Sequence, residues 1–505
     1  MKRDSEMTTS VWMATAEIPS RPALTKDLKV DVCVVGAGIA GLTTAYLLAN
    51  EGRSVVVLDV GPIAGGETTR TTAHLVNALD DRYFELETMH GEKGARLAAE
   101  SHTAAIDRIE AIVAKENIAC DFERLDGYLF VPPGDSTEVL DKELEATHRA
   151  GLVNVERSGR APLDGFDTGP CLRFPRQAQF HPLKYLDALS QAIEEKGGLI
   201  FNKTYVEEFK DGTPGHVKTS NGQIVTAGAI VVATNTPVND WVTIHTKQAA
   251  YRTYVIGMRV PKGSVTKALF WDTPDPYHYI RLMDAEGHDV LIVGGEDHKT
   301  GQADDTEERF ERLEAWTRER FPVAGDVEFH WSGQVMEPID GLAFIGRNPG
   351  DDNIYIVTGD SGNGMTHGTI AGILITDLVL GRKNEWESLY DPSRISLRAA
   401  PEFVTENLNV VAQFGDYATA GDVDQMVEIT AGTGALVREG LTKMAVYRDS
   451  DGELHKCSAI CPHLGCIVSW NSTEKTWDCP CHGSRFDPYG KVLNGPAIKG
   501  LEPAG

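Results

Sequence analysis

Two short stretches near the end of the chain carry residues that hold transition metals: Cys461-Pro462-His463 and, beyond residues 464–478, Cys479-Pro480-Cys481-His482. Thiolate and imidazole at such spacings suit zinc as well as iron–sulfur clusters. A [2Fe–2S] cluster takes four protein ligands, and a C-x-H pair with a C-x-x-H pair supplies two sulfurs and two nitrogens. Imidazole is neutral where thiolate is anionic, so a cluster held by both carries less negative charge and has a raised potential. The other cysteines sort the same way. Cys33, Cys120 and Cys171 are scattered and read as inert core thiols, whereas Cys457, Cys461, Cys466, Cys479 and Cys481 crowd together among histidines.

A second constellation lies near the start. Gly36-Ala37-Gly38-Ile39-Ala40-Gly41 follows the apolar run 30–35 and opens a helical stretch over 39–50. Glycines at this spacing allow a tight turn, close approach to a pyrophosphate and close helix–strand packing. The helix N-terminus attracts the phosphate charge. Asp59 ends the next apolar run, 54–59, where an acid meets the ribose hydroxyls of an adenosine.

The elements that must position these groups follow from periodicity. Runs 30–35 and 54–59, with the helix between them, read as buried parallel strands, and 229–234 and 354–358 as further short apolar strands. Residues 128–131, 250–260, 277–283 and 290–294 read as an antiparallel sheet, and 92–115, 136–150, 182–196 and 306–321 as helices. After 389, prolines and polar residues suggest a linker over 391–408. Short strands follow over 426–429, 435–438 and 443–447, with a hairpin turn at Asp451-Gly452.

The full stretches CPHLGC and CPCHGS resemble the Rieske proteins of the cytochrome bc complexes, and Asn494-Gly495-Pro496-Ala497 continues that pattern. The resemblance implies Cys461, His463, Cys479 and His482 as cluster ligands, a Cys466–Cys481 disulfide between the loops, and Ser484 as a hydrogen-bond donor to the cluster. The Rieske tyrosine two places after that serine is Phe486 here. A missing hydroxyl leaves charge on a ligand sulfur less stabilised, which lowers the potential. Phe486→Tyr is therefore expected to raise the midpoint in a redox titration; no change or a fall would remove this explanation.

Residues 343–380, with Pro338-x-Asp340-Gly341 before them, resemble the second flavin-contacting stretch of the D-amino-acid-oxidase-like flavoproteins (DAO family). The likeness implies FAD held by Gly36, Gly38, Gly41 and Asp59, by the loop of Thr69, Arg70 and Thr71, and by Gly359, Gly362, Gly364 and Met365. His74 is offset from the histidine through which some relatives attach FAD. Ala233-Thr234-Asn235 matches a strand-end motif of that fold, with Asn where Gly is common. The family oxidises C–N bonds of amines and amino acids. Arg281, Tyr254 and His367 are the catalytic candidates, with Tyr251, Arg252 and Tyr279 beside them on the antiparallel sheet.

The expected architecture is an α/β two-dinucleotide-binding-type FAD domain with an antiparallel-sheet substrate domain, plus a small all-β Rieske domain. The expected bounds are an N-terminal extension at 1–28, the oxidoreductase at 29–390, the linker at 391–408 and the Rieske domain at 409–505. Within the oxidoreductase, 29–80, 150–240 and 335–390 bind FAD, and 81–149 and 241–334 form the substrate domain. A fused cluster implies a dehydrogenase that passes electrons from FAD to the cluster and on to an acceptor protein or quinone. The alternative is a reductase component fed by NAD(P)H, although a single GxGxxG turn leaves no evident nicotinamide fold. With 505 residues and a formal charge of −26, the chain is unsuited to nucleic acid or anionic lipid. No run is long and apolar enough for a signal peptide or a membrane span, so a cytoplasmic location is expected.

Overall fold

The computed structural model describes residues 6–163, 165–239, 244–440 and 442–504, and only the backbone of Leu397. Parts of the expected segments at 1–5, 164, 240–243, 441 and 505 lie outside the described residues.

Valine- and isoleucine-rich strands, buried on both faces, build a parallel sheet. Leu28–Val35 pairs with Val55–Leu58 on one side and Ile224–Val232 on the other. Leu199–Phe201 and Ile354–Thr358 extend the run, and Phe344–Arg347 adds an antiparallel edge. Helices Ile39–Asn50 and Gly364–Val379 pack against each other, as small residues at the crossing require. A Cβ at Gly372 would stand 3.0 Å from the Cβ of Thr43.

The second sheet has nine strands. Val327–Pro338, Gln248–Val260, Asp289–Lys299, Tyr279–Asp284 and Leu269–Asp272 run antiparallel in that order. Glu123–Phe130 then joins parallel to Leu269–Asp272 and antiparallel to Cys171–Gln179. Glu156–Ser158 and Cys171–Gln179 both belong to this sheet, so residues before Pro182 are not part of the flavin-binding half as expected for 150–240. The expected helix over 92–115 is the second part of Tyr83–Lys115, which Gly91 interrupts at φ 73°. It packs on the flavin side, with the Ser101 hydroxyl bonded to Tyr390 and His102 Nδ1 to Thr366 Oγ1.

The last unit pairs a three-stranded sheet (Thr433–Glu439, Thr442–Arg448, Leu454–Ser458) with a four-stranded one (Ser469–Asn471, Thr476–Asp478, Arg485–Phe486, Val492–Asn494). Two expectations fail here. The stretch read as a linker over 391–408 contains most of helix Ala400–Gln413. Pro401 sits in the first turn of that helix, where a missing N–H costs nothing. The strand expected over 426–429 is the 3₁₀ turn Met426–Glu428, whose carbonyl at Met426 accepts from the Arg448 side chain.

The N-terminal extension is wedged between the two halves of the molecule. Trp12 is fully buried and donates its indole N–H to the Thr71 carbonyl at 2.6 Å. Thr8 meets the Glu474 carboxylate of the C-terminal unit.

Candidate functional site

One cavity of about 610 Å³ connects the glycine turn to both sheets and to the C-terminal unit. Gly36 takes φ +110°, and a Cβ there would stand 2.7 Å from the Ala233 carbonyl carbon and closer still to its oxygen. Gly41 serves differently from Gly36 and Gly38. It lies off the cavity wall, packed against the Gly36 carbonyl. Asp59 lines the cavity and accepts from the amides of Ala37 (2.6 Å) and Gly61 (2.7 Å). Burial raises its carboxyl to about 6 against these two hydrogen bonds. Asn235 adopts φ 65°, a left-handed backbone that Asn tolerates, which is why it can stand in the place of a glycine.

The far wall comes from the turn Gly359, Asp360, Gly362 and the helix it starts, with Gly364 and Met365 also on the surface of the cavity. A Cβ at Gly362 would collide with the Asp80 carboxylate. These residues fit FAD. Backbone without side chains lies at the phosphate-binding turn, a carboxylate sits at the end of the second strand, and a second helix N-terminus opens onto the same space.

The loop after Gly66 departs from expectation. Thr68, not Thr69, faces the cavity, and its hydroxyl accepts from the Ile39 amide at 3.3 Å. Thr69 turns its hydroxyl to the Gly66 carbonyl. Arg70 lines the cavity but sends its guanidinium to Glu474 (3.1 Å) and the Ser332 carbonyl (2.8 Å), away from any cofactor. Thr71 remains on the wall. His74 also lines it, with Nδ1 on Thr72 Oγ1 and Nε2 near the Ile280 carbonyl; burial lowers its pKa to about 3, so it is neutral.

Two of the three catalytic candidates are corrected. Arg281 is buried and donates to the carbonyls of Thr72, Ala73 and Phe180, so it braces the loop instead of facing a substrate. Tyr254 packs against His298 and Phe310, outside the cavity lining. Arg252 is likewise turned away, bonded to Ser332 Oγ at 2.6 Å. His367 does line the cavity. Its Nδ1 meets the Asp360 carbonyl at 2.9 Å and therefore donates, which leaves Nε2 as the acceptor. Burial pushes its pKa down to about 4.

Sequence reasoning missed the carboxylates. Asp80, Glu337 and Asp297 line the space, and Tyr277, Tyr279 and Trp271 stand among them. Tyr277 donates to Asp80 at 2.8 Å. Burial raises Asp80 to about 6 and Asp297 to about 7, and it drives Glu337 well above the usual carboxylate range, with Asp81 adding to the effect. Acids scattered over three chain segments leave no spacing signal.

In the C-terminal unit two loops bring together the Cys461 and Cys479 sulfurs and the His463 and His482 rings, whose centroids lie 5.0 Å apart. Two sulfurs and two imidazoles in facing loops fit a [2Fe–2S] cluster. Cys466 and Cys481 form a disulfide that ties the loops. Ser484 Oγ accepts from the Ala497 amide at 3.0 Å. Phe486 is fully buried beside this site, on a strand paired with Trp477. The ring of His245, from the larger unit, packs on His463 (5.0 Å) and His482 (6.2 Å).

Fold and sites together define an FAD-dependent oxidoreductase with a Rieske [2Fe–2S] domain. Residues 31–378 match the family FAD dependent oxidoreductase (DAO), and 420–503 match the Rieske [2Fe-2S] domain. The chain belongs to the DAO family, with a Rieske domain joined to it. It is 32% identical over 498 residues to the Rieske 2Fe-2S iron-sulfur protein YhfW of Bacillus subtilis, covering 97% of this chain and 96% of that one. It is 27% identical to the gamma-glutamylputrescine oxidoreductase of Escherichia coli, over 76% of this chain and 92% of that one. Glycine oxidase from Geobacillus kaustophilus shares the fold at a TM-score of 0.61 and 16% identity, over 73% of this chain and 99% of that one. Among the described residues, no helix is long and apolar enough to cross a membrane.

Proposed function

We propose that the protein is a dehydrogenase that oxidises a C–N bond of an amine and delivers the electrons through the Rieske centre to an external protein or quinone. The observation that carries this reading is the contact between the two sites. Gln334 lines the flavin cavity and donates Nε2–H to the Gly483 carbonyl at 3.0 Å, next to His482. A single side chain thus separates the cavity from a cluster-ligand loop. Bound FAD supplies hydride removal beside nitrogen, and the cluster supplies one-electron transfer. An oxidase that reduces dioxygen has no use for a cluster pressed against its flavin cavity.

The cavity favours an amine over an amino acid. A substrate ammonium would return Asp80 and Asp297 to their ionised forms and gain a charge-assisted hydrogen bond. A substrate carboxylate would meet these acids without an arginine to pair with, because Arg252 and Arg281 are committed elsewhere. The likeness to a relative named for gamma-glutamylputrescine supports the amine reading. Neutral His367 presents Nε2 as an acceptor for a proton on the donor nitrogen, and aromatic rings shape the remaining wall.

Anaerobic stopped-flow mixing with mono- and diamines, amino acids and NAD(P)H tests this, following flavin absorbance and the reduced-Rieske EPR signal together. The expected result is flavin bleaching by an amine followed by growth of the cluster signal. Reduction by NAD(P)H alone would overturn the reading in favour of a reductase component.

A further inference from the structure

We infer that the Rieske domain is itself a wall of the FAD site, so that the flavin is held across two domains and Lys491 and Asn494 help to retain it. The cavity that begins at Gly36 and Gly38 is bounded on another side by Lys491, Val492, Asn494, Gly495 and Ala497. Lys491 immediately precedes the last strand of the Rieske domain, Val492–Asn494, and the others lie on that strand and the turn after it. Nothing in the cluster chemistry requires that strand to approach a flavin.

The approach is built by specific contacts. Asn494 Nδ2 donates to Glu67 Oε1 at 2.7 Å. Glu67 starts the short turn that also carries Thr68, whose hydroxyl holds the Ile39 amide at the phosphate-binding helix. The Tyr205 hydroxyl donates to the Ile498 carbonyl at 2.5 Å, and Tyr205 lines the cavity on the same side as Asp59. At Gly495 the two units pack closely: a Cβ would stand 3.1 Å from Val238 Cγ1 and 3.6 Å from the Thr236 carbonyl oxygen.

Charge points the same way. A bound dinucleotide brings a pyrophosphate into a cavity lined by Glu67, Asp59, Asp80 and Asp360. Arg70 is the other permanent cation on the wall, and Glu474 already engages it. Among the described residues Lys491 enters no ion pair, so its ammonium is available to the cofactor as a point charge. FAD binding and Rieske docking are then linked: whatever loosens the domain weakens FAD, and FAD stabilises the docked domain by the same factor.

The test uses the full chain with Lys491→Ala, Asn494→Ala and the double variant. Apoprotein is titrated with FAD, binding is read from quenching of flavin fluorescence, and the oxidised cluster's visible circular dichroism confirms that the Rieske domain is intact. The double variant is expected to bind FAD about tenfold more weakly, a loss of about 1.4 kcal/mol. The Lys491 share of that loss should shrink at high salt, as for an exposed charge. Lys491 is exposed, so its replacement leaves the core untouched and keeps the test valid if the Asn494 variant misfolds. An intact cluster signal with FAD affinity within about twofold of wild type in the Lys491 and double variants would overturn the inference. Neither outcome depends on which donor the enzyme oxidises.

Discussion

Replacing Glu474 by Gln is expected to cost about 3–5 kcal/mol of stability, the range for stripping one partner from a buried ion pair. Glu474 is fully buried at the seam between the FAD and Rieske domains. Its carboxylate meets Arg70 at 3.1 Å and Arg252 at 3.9 Å, and it accepts from Ser332 Oγ at 2.5 Å. Nearby, Arg485 is buried among Asp478, Glu6 and Glu67. A neutral amide would keep the shape but leave two guanidiniums under-compensated away from water. Denaturant titration of the holoprotein, read by cluster circular dichroism and tryptophan fluorescence, measures the loss. An unchanged midpoint would show that the network contributes nothing to docking.

The same residue sets an acid limit. Burial alone would raise the Glu474 carboxyl, but Arg70, Arg252 and Arg485 together hold it down at about 2, against an ordinary value of 4.5. A depressed carboxyl stabilises the fold fully above its unfolded pKa. That contribution fades as pH falls from about 4.5 toward about 2.

Gly36→Ala is expected to yield protein with an intact cluster and little FAD. The position holds φ +110°, which no L side chain adopts without strain, and the new methyl group would drive into the Ala233 carbonyl. The obstruction is backbone just past the neighbouring strand, where the Ala233 amide donates to the Val35 carbonyl at 2.7 Å at the end of the parallel ladder, so it cannot yield cheaply. The turn must open, and the amides that face the phosphates move with it. FAD affinity should fall by at least about a hundredfold, near 2.7 kcal/mol. The ratio of flavin to iron in purified protein reads this directly. A wild-type ratio would mean that the turn does not set FAD affinity.

Both redox sites were legible in the chain because each is local. Cys461 with His463, and Cys479 with His482, lie within single loops, so spacing marks them as metal ligands and the likeness of their flanking residues to Rieske proteins points to the cluster and not zinc. The glycine turn, its helix and Asp59 form one β–α–β unit whose glycines answer to backbone geometry. The likeness to known flavoproteins added the Gly359–Met365 wall, which spacing would not have revealed. The helix Ala400–Gln413 was hidden because proline, read as a breaker, also suits a first turn.

Long side chains were misassigned for a different reason. Arginine reaches far, and its partner depends on what packing brings near. Arg70 and Glu474 are 404 positions apart, and Arg281 finds carbonyls of the loop near residue 72 and of Phe180. No periodicity records such pairs. By itself the sequence determined the two cofactors and the short turns that hold them, since backbone conformation and ligand chemistry are written in neighbouring residues. Tertiary structure alone decided that the cavity is acidic, that its arginines face away, and that the Rieske domain closes the flavin site, because these follow from where distant segments meet once apolar surface is buried.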